Sequence, residues 1–199
     1  MINFFKNSFT HLELEQISKN NPSSLSKLKW ICDNLFSNKI LEIIFTENAT
    51  KYSKDNFADH FYNIFLKQIT WYFSTNPKNS NIGSILFNND PINYQLKINK
   101  KSSVDYYHGD FLSYLSQTNK TFDLIDLSNI SDWMPLNNME KILSTSFSKL
   151  NKNGVIVGRK LLGDYSWAEL QKKLIPSLFL PFDDHTMFYQ ECVFIKKIA

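Results

Sequence analysis

The chain has 199 residues, with 22 basic and 19 acidic side chains giving a formal net charge of +3, and it carries 17 Phe and 9 Tyr but only 5 Gly. That length suits one α/β domain with a helical appendage, and the near balance of interspersed charge gives no support to a nucleic-acid partner. Few glycines argue against glycine-rich phosphate loops, no run of 18 or more apolar residues offers a transmembrane segment, and the short apolar start is no signal peptide, so a cytoplasmic, soluble chain is expected.

The predicted elements begin with a helix carrying Leu25, Leu28, Ile31, Cys32, Leu35 and Phe36 on one stripe, with Ser23 and Ser24 as caps. Lys39-Ile-Leu-Glu-Ile43 reads equally as a short strand or a helix end. A longer helix starts near Ser53 to Asn56, carries Phe57, Phe61, Ile64, Phe65, Ile69 and Tyr72 on one face, and ends before Asn76-Pro77. The breaker-rich stretch from Ser74 to Gly83 then marks a boundary between a helical subdomain, 1–80, and an α/β domain, 81–199.

Beyond it, Val104 to His108 alternates as a strand, Phe111 to Leu115 makes a short helix, and Phe122 to Leu127 reads as a strand covered on both faces. Met139, Ile142, Leu143, Phe147 and Leu150 mark a helix that Asn153-Gly154 caps, and Val155-Ile-Val157 opens the next strand. Ser166 to Leu174 is a helix capped by Ser166, and Met187 to Ile195 supplies one or two last strands. This β-α alternation predicts a Rossmann-like, mostly parallel sheet with right-handed crossovers. Cys32 and Cys192 match no metal or redox spacing and read as buried thiols, and no metal site is expected.

The segment Phe122-Asp-Leu-Ile-Asp-Leu-Ser-Asn-Ile-Ser-Asp-Trp-Met134 runs an apolar strand into a polar turn, and ligands of open α/β sheets bind at such strand ends. Together with His108-Gly-Asp-Phe-Leu-Ser-Tyr-Leu115, Leu161-Leu162 and Asp184-His-Thr-Met-Phe-Tyr189, it resembles in content and order the 3-amino-3-carboxypropyltransferases that use S-adenosylmethionine. The best-known members make betaine lipids, and others modify peptide-nucleotide antibiotics of the microcin C type. The likeness covers the last half of such an enzyme. Lys39 to Ile43 resembles the opening of the usual first strand of a class I methyltransferase-like fold, but Ile44-Phe-Thr-Glu-Asn48 follows where that fold has glycines. Asn129 stands where the family often has Asp, and His185 where it has Arg, which implies altered acceptor recognition.

The resemblance implies S-adenosylmethionine as co-substrate, held by His108, Gly109, Asp110, Phe111, Ser128, Asn129 and Trp133, with Asp132 and Tyr189 as catalytic groups and Arg159 and Lys160 holding a carboxylate or an anionic acceptor. Each has a plainer reading beside it. Asp110 and Asp132 are also good helix caps, His108 suits a satisfied strand histidine, Gly109 a turn, and Arg159-Lys160 a solvated basic pair. The implied acceptor is a peptide-nucleotide phosphate or a lipid hydroxyl, and the implied product is methylthioadenosine. Two rival expectations are a binding module whose cofactor elements come from a partner protein and an ordinary methyltransferase, which would release S-adenosylhomocysteine instead.

Overall fold

A computed structural model describes residues 7–45, 51–52, 56–75, 103–174, 176–182 and 189–198. Among them the first part is helical: α1 (His11–Ser18), α2 (Pro22–Leu35), α3 (Asn38–Phe45) and α4 (Phe57–Thr75). Helix α1 starts on a full capping box, in which the Thr10 hydroxyl accepts from the Glu13 amide at 3.2 Å and the Glu13 carboxylate accepts from the Thr10 amide at 2.8 Å. Helix α2 is capped by Asn21, two residues before Ser23 and three before Ser24. The Asn21 side chain accepts from both of their amides, and Pro22 occupies the first turn, where its missing N–H costs nothing.

Lys39 to Ile43 lies within α3, so the strand reading of that segment is overturned. Leu41 is buried while Glu42, Ile43 and Ile44 face outward. One inward side chain per turn is a helical surface pattern, not the alternation of a strand. The helices share one core, in which Leu14, Ile17, Leu28, Ile31, Phe61 and Ile69 are buried and Phe36 stacks on Phe61 with ring centroids 4.1 Å apart.

The second part carries α5 (Phe111–Gln117), β1 (Phe122–Asp126), a 3-10 turn (Ile130–Trp133), α6 (Leu136–Ser148), β2 (Leu150–Lys160), α7 (Trp167–Gln171), β3 (Ser177–Phe182) and β4 (Glu191–Lys197). The sheet order is β1-β2-β4-β3. Only β1 and β2 pair parallel; β4 pairs antiparallel with both β2 and β3. The protein is therefore mixed α/β, and the expected mostly parallel sheet is corrected to a four-stranded mixed one. Strands β1, β2 and β3 nevertheless run the same way, since both neighbours of β4 oppose it. The reversed β4 sits between the second and third of them, and β3 was not predicted because Pro181 weakens its strand signal.

Three local expectations also fail. Residues 103–108 form no strand, because Val104, Tyr106 and Tyr107 are exposed and gain no face to bury. Strand β1 is covered on one side only. It is the outermost strand of the sheet among the described residues, and Leu124 is 59% exposed. Asn153-Gly154 caps no helix: it lies inside β2, where Asn153 has φ 64° and the register to β1 shifts between Phe122 and Leu124. A side chain on Gly154 would sit 2.9 Å from the carbonyl oxygens of Asn151 and Phe122.

The core of this part joins Leu115, Ile125, Met139, Leu143, Ile156 and Trp167. Gly158 lets the Trp167 ring lie against β2, since a Cβ there would fall 2.5 Å from the indole. Leu161 and Leu162, just past β2, pack on the helical core instead and join the two parts. The expected boundary near residue 80 lies outside the described residues. No described helix is long and apolar enough to cross a membrane.

Candidate functional site

Strands β1 and β2 end side by side, and their parallel pairing brings Asp126 beside Val157 and carries the next residues into two adjacent turns. Ser128 enters its turn at φ 49°, its amide donates to the Asp126 carboxylate at 2.7 Å, and its carbonyl accepts from the Arg159 amide at 2.8 Å. The Arg159 guanidinium reaches back to both Asp126 oxygens, at 2.9 and 3.2 Å. Its carbon lies 5.8 Å from the centre of the Tyr189 ring, a cation over an aromatic face. Ser128, Arg159 and Tyr189 are thus brought together with Asp126, which the sequence places among the polar groups at the strand's carboxyl end but to which no site role was given.

Asp132 has a different surrounding. It is 5% exposed, and its carboxylate accepts the amides of Leu161 at 2.8 Å, Leu162 at 3.2 Å and Gly163 at 2.7 Å. The Asn129 side chain also bonds to it. Burial raises the acid's pKa above the ordinary carboxylate value, and the three amides and Asn129 only partly offset that. With its oxygens turned to the loop, the carboxylate fixes residues 161–163 and positions them. Next to it, the Tyr165 hydroxyl donates to Ser131, and burial pushes the phenol well above its usual range.

Lys160 is nearly enclosed. Its ammonium donates to the Tyr165 carbonyl at 2.6 Å and pairs with Glu191 at 3.0 Å. It ties β2, the following loop and β4 together. The amide of Gln190 donates to the Lys160 carbonyl at 2.8 Å, which sets Tyr189 beside the end of β2.

The His108 segment stands apart from this cluster. Asp110 caps α5 by accepting the Ser113 amide at 2.7 Å, and that bond holds its carboxyl below the usual range. His108, Gly109 and Asp110 are exposed, and no described hydrogen bond or ion pair links them to the strand-end residues. Phe111 is half-buried against the sheet's core, and Trp133 is 45% exposed. Asp184 to Phe188 lies outside the described residues.

A cleft of about 370 Å³ opens between α4 and these turns. Leu162, Gly163, Tyr189 and Gln190 form one wall; Asn56, Asp59, His60, Asn63, Ile64, Lys67 and Gln68 form the other. The helical part therefore contributes half of the site. Sequence reasoning gave α4 only a packing role, although Asn56, Asp59, Asn63 and Lys67 recur at helical spacing and mark a polar stripe. Among the described residues no group of three or more His, Cys, Asp or Glu could hold a metal ion. No protein-family model matches the chain, and neither the curated proteins nor the solved structures contain a match.

Proposed function

We propose that the chain is a Rossmann-like, class I methyltransferase-like protein that moves the 3-amino-3-carboxypropyl group of S-adenosylmethionine to an oxygen acceptor. The observation that carries this reading is the meeting of Arg159 and Tyr189 at the end of β2, where Tyr189 lines a cleft together with Leu162 and Gly163 of the loop that Asp132 holds. The sheet supports it as well. Three co-directional strands with a reversed last strand between the second and third form an α/β sheet of the open kind, in which ligands bind at strand ends.

In the reaction, an acceptor oxygen attacks the methylene carbon beside sulfur. A C–O bond forms, the C–S bond breaks, and its electron pair leaves with neutral methylthioadenosine. The acceptor's proton passes to solvent or to a nearby base. Because the sulfonium is already activated, alignment supplies most of the acceleration, up to about 7–11 kcal/mol in well-oriented systems. The Arg159 guanidinium would orient the transferred group's carboxylate, the Tyr189 hydroxyl would hold the acceptor by a hydrogen bond, and Asp132 would act by keeping residues 161–163 in place. The acceptor would be a peptide-nucleotide phosphate or a lipid hydroxyl.

Incubating the protein with S-adenosylmethionine and candidate acceptors should release methylthioadenosine, and Arg159→Ala should lower that release at least tenfold. Finding S-adenosylhomocysteine in its place would make the protein a methyltransferase. A second reading, a binding module completed by a partner protein, is favoured by one observation: the segment expected to lead into the cofactor turn is helix α3. On that reading, calorimetry with S-adenosylmethionine shows no heat for this chain alone, and native mass spectrometry finds the ligand only in a complex.

A further inference from the structure

We propose that Asp126 and Arg159, paired at the ends of β1 and β2, bind the zwitterionic head of an α-amino acid, with Arg159 taking its carboxylate and Asp126 its ammonium. This deepens the transfer reading and rests on it for the identity of the ligand, in which the amino acid is the methionine end of S-adenosylmethionine.

The two side chains leave their own pairing incomplete. Both carboxylate oxygens of Asp126 lie on a single guanidinium nitrogen, Nη1, at 2.9 and 3.2 Å. A matched fork sets two nitrogens against two oxygens. Nε and Nη2 of Arg159 make no hydrogen bond among the described residues, although the side chain is only 25% exposed. Asp126 holds one edge of the guanidinium, and the Tyr189 ring lies 5.8 Å from its carbon, so the plane is fixed and its free edge has a set direction. A rigid planar edge of N–H donors is complementary to a carboxylate.

Asp126 keeps acceptor capacity as well. Its Oδ1 takes the Ser128 amide at 2.7 Å besides Nη1, whereas Oδ2 takes Nη1 alone, and each carboxylate oxygen can accept two bonds. The side chain is 48% exposed. Because the pair sums to zero charge, a plain anion meets Asp126 as well as Arg159, and a plain cation meets the reverse. A zwitterion that carries both charges on the same carbon satisfies the two groups together. Neither group is loose, since Ser128 ties the strand ends by donating to Asp126 and accepting the Arg159 amide at 2.8 Å. Sheet pairing sets Val157 beside Asp126 and Phe194 beside Val157, and Phe194 is 37% exposed. An apolar amino-acid side chain thus has a surface to lie on, on the sheet face that Asp126 and Arg159 share.

The test titrates the whole chain with norleucine, hexanoate and pentylamine, which share an apolar body and differ in the head, and follows amide chemical shifts. Norleucine should bind saturably and about tenfold or more tighter than either singly charged analogue, the effect of one charge-assisted hydrogen bond. Asp126→Asn keeps an acceptor for the Ser128 amide and should abolish the preference for norleucine over hexanoate. Arg159→Gln should abolish the preference over pentylamine, and Lys152→Met, on an exposed residue of β2, should change neither. Absence of saturable norleucine binding, equal binding of the three compounds, or an Asp126→Asn variant that keeps its preference over hexanoate would overturn the proposal. Methylthioadenosine release is measured separately. Its absence beside selective norleucine binding defeats the transfer reading and leaves the amino-acid site standing; its presence in an Asp126→Asn variant with unchanged KM for S-adenosylmethionine overturns the site and leaves the transfer reading.

Discussion

Asp132 illustrates how a residue can be legible as important in the sequence while its surroundings are set only by the fold. Its position just past a strand end, in a polar turn, marks a group that a ligand would meet first. The fold instead turns the carboxylate inward, onto three successive amides of the neighbouring loop. Truncating it leaves those amides without their acceptor, and each buried unsatisfied donor costs about 1–3 kcal/mol. Asp132→Ala should therefore lower stability in urea melts by at least about 2 kcal/mol and shift the amide resonances of Leu161 to Gly163. A variant that loses activity while keeping wild-type stability would instead favour the acid-base role.

At the scale of elements, helix starts are set by local side-chain bonds, yet α1 and its capping box were not anticipated from the sequence and the cap of α2 was placed on the wrong residues, while strands were not readable where pairing decides. The capping box of α1 lies within four residues and needs nothing from the rest of the chain. It also carries charge linkage, because hydrogen bonds from Lys27 and from the Thr10 amide lower the pKa of Glu13 from its ordinary 4.5 to about 2. The folded-state value is depressed, so this contribution is present above the ordinary value and is lost as pH falls through about 2. Acid titration of helix content by circular dichroism should show a loss across that window, and Glu13→Gln should flatten it. An unchanged titration curve in the variant would show that the box carries no linkage. Strand signals behaved differently. Val104 to His108 alternates well but pairs with no strand among the described residues, whereas Ser177 to Phe182, with a proline inside, is recruited by β4.

For the whole molecule, the two apolar clusters meet through Leu161 and Leu162, which leave β2 and pack on the helical core. Both are held by Asp132, and Leu162 lines the cleft. Burying a leucine contributes about 1.5–3 kcal/mol. Replacing both with Ala should loosen that joint and split thermal unfolding into two calorimetric transitions, one for each cluster. A single transition shifted to lower temperature would mean that other contacts couple the two parts. Either way the cleft, being made from both, should lose its ligand before either cluster melts.

The residues by themselves determined the helical first part, the helix α5 after Asp110, the strand that runs into Asp126, and the polar character of the turn that follows. Those features depend on spacing and on bonds between near neighbours, which a linear pattern displays. Tertiary structure alone decided that β4 enters reversed between β2 and β3, that β1 is the outermost strand among the described residues, and that α3 is not a strand. It alone set a polar face of α4 across from Tyr189. Each of these depends on which distant segment lies alongside, and pairing or burial between segments far apart in the chain leaves no mark in the local order of residues.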